Sequence, residues 1–198
     1  MKHINKVLGA LITSAILATS SFSADIATES SELKILPIFT DDNWCGKVEV
    51  AAVLGSINFD NSSLSTGANY GVELSFDCPV FTLPGKHAIR QQLTLSHYDK
   101  SNFAVTIIEM NPRYFFKLNN RLHLGVGPGI AGVHGDPDNG NSEWAFAVNA
   151  GADLKYYVEN DIVLGLDLRW QWTGEKDFGA GKQDLDNMRV LAKVGYRF

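Results

Sequence analysis

The sequence is short of several things, and each shortage narrows the field. It holds no apolar run of the ~20 residues that a membrane-spanning helix needs. Its one apolar run, Val7 to Ala18, is shorter. Mean hydropathy is −0.05 with 45% hydrophobic residues, so nothing in the composition looks like a helical membrane protein. Only 6 prolines stand against 18 glycines, which suits strands and turns rather than a disordered chain. There is no basic excess, since 17 Lys and Arg face 22 acidic residues. That balance argues against a nucleic-acid partner. Cysteine is scarce, at 2, and no histidine stands at zinc spacing from either one, so no metal centre is expected. No cofactor is indicated.

What is present begins with a targeting segment. Lys2 and Lys6 precede the apolar run, and Thr19, Ser20 and Ser21 follow it. This is the pattern of a secretory signal peptide over residues 1–23. Losing its two lysines takes the formal net charge from −5 to −7. Residues 24–43 form an arm, polar first and then more apolar up to Phe39, interrupted by Pro37. A ninth strand here would have to be an edge strand, because proline cannot donate to a ladder.

From Trp44 onward the chain alternates apolar and polar residues with a period of two, the signature of strands with two unlike faces. Eight segments do so: Trp44–Leu54, Ala68–Phe76, His87–Tyr98, Phe103–Lys117, Arg121–Ile130, Glu143–Tyr157, Ile162–Thr173 and Met188–Phe198. The last is the cleanest. Met188, Val190, Ala192, Val194, Tyr196 and Phe198 make one row, and Arg189, Lys193 and Arg197 punctuate the other. The apolar rows match the ~9–11 residues of a tilted membrane strand, and such barrels use even strand numbers. Trp44, Tyr114, Tyr156, Trp170, Trp172 and Tyr196 fall near segment ends, where an aromatic girdle belongs. The connections are long at 55–67, 131–142 and 174–187, and tight at 118–120 and 158–161. With the N-terminus in the periplasm, the long ones are external.

These features together resemble the small eight-stranded bacterial outer-membrane barrels of the opacity-protein, OmpA-barrel and OmpX type. The resemblance spans Trp44 to Phe198 and includes the glycine-rich Gly125-Val126-Gly127-Pro128-Gly129 and the terminal Tyr196-Arg197-Phe198. It implies an all-β, eight-stranded antiparallel up-and-down transmembrane barrel over residues 44–198, sited in the outer membrane. It also implies that Tyr196 and Phe198 are the assembly signal read by the barrel-assembly machinery. Outer-membrane lipid and lipopolysaccharide would surround the barrel.

Eight strands enclose a lumen only wide enough for side chains. The inward rows place Lys47, Glu49, Glu73, Arg90, Glu109, Arg113, Asp153, Lys155, Asp167, Arg169, Arg189, Lys193 and Arg197 there. Buried charges must be paired and hydrogen-bonded, so a structural charge network is expected. A narrow polar or anion-favouring path is the alternative. Cys45 and Cys78 both fall at the periplasmic rim of the first hairpin. In an oxidising compartment a disulfide between them is expected.

Two further stretches invite chemistry. Some small barrels are lipid A deacylases with an exposed His-x-Ser-Asn strand constellation. This chain has His97, but Ser101 follows at four residues rather than two, and no carboxylate is placed to orient a base. The stretch Asp136-Pro137-Asp138-Asn139-Gly140-Asn141 has its glycine at the fifth position, where a calcium loop needs it at the sixth. No catalytic residue is therefore assigned. The reading is a non-enzymatic barrel with a structural or surface-interaction role through its external loops. A small-solute channel comes next, then a lipid A-modifying hydrolase, then a secreted lipocalin-like carrier. The sequence names no extracellular partner.

Overall fold

A computed structural model describes residues 34–36, 39, 46–61, 64–83, 87–100, 102–158, 161–179 and 182–198. All of these fall within one compact unit, Glu32–Phe198. The signal segment 1–23, Trp44, Cys45 and most of the arm 24–43 lie outside them.

Alternation becomes eight long strands: β1 Glu49–Phe59, β2 Gly67–Asp77, β3 His87–Lys100, β4 Phe103–Lys117, β5 Leu122–Pro137, β6 Glu143–Val158, β7 Ile162–Thr173 and β8 Asn187–Arg197. Each pairs antiparallel with its neighbours in sequence. β8 then pairs with β1, from Asn187↔Phe59 to Arg197↔Glu49, which closes the barrel. Closure removes every edge that a flat sheet would leave unpaired. One end of the barrel carries the C-terminus and the connections 78–86, 118–121 and 159–161. We term it the inner end, and the opposite one the outer end. Residues 34–35 pair with 81–82 at the inner end. Lys34 and Ile35 of the arm thus join a turn, and among the described residues no ninth strand enters the barrel.

The outward rows are apolar and exposed, from Leu54, Val72 and Leu95 to Leu166 and Val194. A soluble barrel would hide such residues, whereas a lipid-facing wall presents them. Tyr114, Phe116, Tyr156, Tyr196 and Phe198 gather near the inner end of this wall, and Tyr70, Trp144, Trp170 and Trp172 near the outer end.

Three boundaries differ from the sequence reading by more than two residues. β1 begins at Glu49 rather than Trp44, because Gly46, at φ 65°, turns the chain before the ladder starts. β1 also runs on to Phe59, and β5 runs on to Pro137 rather than stopping at Ile130. Past those points the inward positions are Ile57, Phe59, Ala131, Val133 and Gly135. They are apolar or small, so both faces lose their contrast while the strand continues. The outer connections therefore shrink to 60–66, 101–102, 138–142 and 174–186.

Candidate functional site

The lumen is where the chain concentrates its chemistry. Every second residue of each strand points into it, and its contents fall into two storeys.

The lower storey is charged. Glu49 accepts from Lys155 Nζ at 2.8 Å, Tyr157 Oη at 3.0 Å and Arg197 Nη2 at 2.9 Å. Arg90 lies 3.5 Å from the same carboxylate and 2.8 Å from Asp77. Glu73 receives Lys193 Nζ at 2.7 Å and Arg169 Nη2 at 2.9 Å. Lys193 also reaches Asp153 at 3.1 Å and Asp167 at 2.9 Å. Glu109 binds Arg189 through both of its terminal nitrogens, at 2.6 and 3.0 Å, and binds Arg169 as well. Arg169 in turn pairs with Asp167. Glu49–Lys155, Glu73–Lys193, Glu73–Arg169, Lys193–Asp153, Glu109–Arg169 and Glu109–Arg189 join strands that are not neighbours, so they tie separate parts of the wall together. A cavity of about 10 Å³ lies among Glu49, Glu73, Ser75, Lys155 and Lys193. That is room for on the order of one water.

Of the charges expected inside, Lys47 is a correction. It is exposed and precedes β1, and only its backbone carbonyl reaches the network, accepting from Arg90 Nη2 at 2.7 Å. The turn at Gly46 breaks the alternation that would have carried its side chain inward. Arg197 sits at the rim, stacked 3.7 Å above the Tyr157 ring. Arg113 is fully buried but has no carboxylate within ion-pair reach among the described residues.

The upper storey is apolar. Ile57, Phe59, Tyr98, Phe103, Val105, Ile107, Ala131, Val133, Ala145 and Ala147 form one cluster beneath the outer mouth. Phe178 and Leu185, from the connection after β7, join it and are 3% and 1% exposed. Phe59 meets Tyr98 edge-on at 5.2 Å, and Phe103 meets Phe178 likewise at 5.5 Å. The connection is a small hairpin, 176–177 against 182–183, held down at several points. Leu185 N donates to Thr173 Oγ1 at 2.6 Å, Asn141 N to Phe178 O at 3.2 Å, and Asp60 N to Asp186 O at 2.9 Å. Burial pushes the Asp186 carboxyl above its usual range; Asp184 and Asp60 add to the rise, and hydrogen bonds from Thr173 oppose it. Sequence reading missed this storey. Its one signal was the inward row of β1 continuing through Ile57 and Phe59.

The stretches with catalytic or calcium overtones are placed differently. His97 lies on the outer wall, its Nδ1 3.0 Å from Thr106 Oγ1 and its ring beside Tyr70. Ser101 lies outside the described residues. Asp136 accepts a hydrogen bond from Ser142 Oγ across the 138–142 turn. Cys78 is buried and carries a free thiol in this structure, with Cys45 outside the described residues.

No family model and no curated protein matches the chain. Solved structures do. The N-terminal β-barrel domain of Pseudomonas aeruginosa OprF aligns with a TM-score of 0.56 at 18% identity, covering 77% of this chain and 98% of that one. Neisserial surface protein A gives 0.54 at 14% identity, covering 77% and 96%. Ail, the attachment invasion locus protein of Yersinia pestis, gives 0.51 at 12% identity, covering 77% and 97%. The class defined by the closed barrel, its apolar outside and these likenesses is the small eight-stranded outer-membrane β-barrel.

Proposed function

We propose that the protein is a non-conducting, non-enzymatic outer-membrane barrel that acts through its outer loops, in a structural or surface-interaction role. The observation that carries this reading is the two-storey lumen. A water-filled path would have to cross the network of ion pairs and then an apolar layer capped by Phe178 and Leu185. Neither layer supplies a row of solvated groups. The interior therefore serves to hold the wall rigid, and the surface left for partners is the outer end. There acidic residues outnumber lysines: Asp60, Asp136, Asp138, Glu175, Asp184 and Asp186 stand with others against Lys100, Lys176 and Lys182. Such a surface favours positively charged partners over anionic ones. Two of the structural neighbours bear the names of a surface protein and an attachment protein, in keeping with a loop-based role. The test is conductance of the purified barrel in planar lipid bilayers. Silence is expected, and discrete unitary currents that persist after repurification would overturn the reading in favour of a channel.

A further inference from the structure

The lumen's charges do not balance. Its fully enclosed set holds six cations, Arg90, Arg113, Lys155, Arg169, Arg189 and Lys193, but five carboxylates, Glu49, Glu73, Glu109, Asp153 and Asp167. The surplus can be assigned to one residue. Five of the six cations lie within 4.0 Å of a carboxylate, and Arg113 does not. An arginine cannot shed its proton on burial, and Asp167, Asp153 and Glu109 act on this one only from beyond ion-pair distance, so its charge has no direct partner.

The wall beside Arg113 is unusual too. The β4–β5 ladder is continuous to Met110↔Ile130 and resumes at Tyr114↔Val126. In the gap lie Pro112 and Pro128, neither of which has an N–H to donate. Arg113 Nη1 donates to Gly127 O, opposite it in the gap, and at 3.0 Å to Gly151 O on β6. Gly151 leaves room for the guanidinium, since a Cβ there would come within 2.7 Å of Nη2. Arg113 Nε and Nη2 then have no hydrogen-bond partner, and neither has Asn111 Nδ2, two residues away on the same inward face; Asn111 Oδ1, Asn149 Oδ1, Asp153 Oδ1 and Asp167 Oδ1 are unpartnered acceptors of the same lumen. Three enclosed donors and one surplus positive charge thus stand together.

We propose that Arg113, with Asn111 beside it, marks a buried site for a single monovalent inorganic anion of the halide class. One such ion balances the enclosed charge and accepts from donors that nothing in the chain satisfies. The site lies below the apolar storey, so the ion is a structural component taken up on folding, not one in transit. A folded-state ion raises the folding equilibrium constant with its free concentration, up to tenfold for each tenfold of ligand.

The experiment compares urea unfolding of the full chain refolded into phosphatidylcholine vesicles, in sodium bromide and in sodium gluconate at equal ionic strength. The folding equilibrium constant is expected to rise with bromide by up to tenfold per decade and to stay level in gluconate. Arg113→Met is expected to abolish the difference and Arg113→Lys to keep part of it. Crystals grown in bromide are expected to show an anomalous peak beside Arg113. Equal stability in the two salts, a bromide effect that survives Arg113→Met, or only water at the guanidinium would each overturn the site. Should Arg113→Met fail to fold, the wild-type salt comparison and the bromide crystals still decide.

Discussion

Glu109 shows what a single residue does in this lumen. Its carboxylate takes both terminal nitrogens of Arg189, one of Arg169 and the side-chain amide of Asn149. All of these groups are buried, so no water stands ready to replace a lost partner. Glu109→Ala would leave two guanidinium groups sharing fewer carboxylates, and removing one member of a buried pair costs about 3–5 kcal/mol. The urea midpoint of Glu109→Ala in lipid vesicles is expected to fall accordingly, and an unchanged midpoint would mean that internal water carries the load. Residue identities of this kind were legible in the sequence, because inward and outward rows separate wherever polar and apolar residues alternate. Glu109, Arg169 and Arg189 could be placed inside from spacing alone. Their partners could not, since Arg189 and Glu109 are 80 residues apart and meet only through the curvature of a closed wall. Lys47 was misplaced for a local reason, the left-handed turn at Gly46.

At the scale of elements, the outer hairpin after β7 is the part that sequence alone could not show. Phe178 and Leu185 sit in a polar stretch without periodicity, so nothing in the pattern announces that both side chains enter the barrel. Truncating a buried Phe costs about 3–5 kcal/mol where the surroundings do not collapse. A loss of that size equals several of the hydrogen bonds that hold the hairpin, each worth about 0.5–1.5 kcal/mol net. Phe178→Ala is therefore expected to undock residues 174–186 and open them to trypsin at Lys176 and Lys182, while the eight-stranded wall persists. Protection from cleavage equal to wild type would show that the ring is not the latch. The same hairpin carries a pH dependence. Since the folded-state Asp186 carboxyl titrates above its unfolded value, its contribution to docking is full at low pH and is lost as pH rises through the folded value. Amide exchange across 174–186, corrected for intrinsic rates, is expected to slow on acidification in wild type and to change less in Asp186→Asn. At the other end, Cys78 directly follows β2, and Cys45 is next in sequence to Gly46, where the chain turns before β1. We propose that the two cysteines close a bridge under oxidising conditions and staple the first hairpin. Non-reduced protein would then migrate faster than reduced protein after boiling. Alkylation of both thiols in protein taken directly from the membrane would exclude the bridge.

For the whole molecule, the question is how the wall closes. The chain has to bring β8 back to β1 across the full sequence, with Arg197 opposite Glu49 and Phe198 N donating to Val48 O at 2.9 Å. Until that happens both strands are open edges, able to pair with other chains. The final residue contributes little once the barrel is shut. Phe198 is 76% exposed, meets Tyr196 edge-on at 5.1 Å, and adds a single backbone hydrogen bond. A net hydrogen bond is worth about 0.5–1.5 kcal/mol. An aromatic at this place therefore has more to do with reaching the closed state than with holding it, as the proposed recognition by the assembly machinery requires. Deleting Phe198 separates the two contributions. The deletion is expected to lower several-fold the heat-modifiable, fully closed fraction that accumulates in cells. The purified closed form should meanwhile lose no more urea stability than that one hydrogen bond and the ring's transfer into lipid account for, the latter about 1.5–3 kcal/mol. A large equilibrium loss with normal assembly would make Phe198 a structural clasp, and no loss of either kind would remove it from the assembly signal, leaving Tyr196 and the β8 register to carry it.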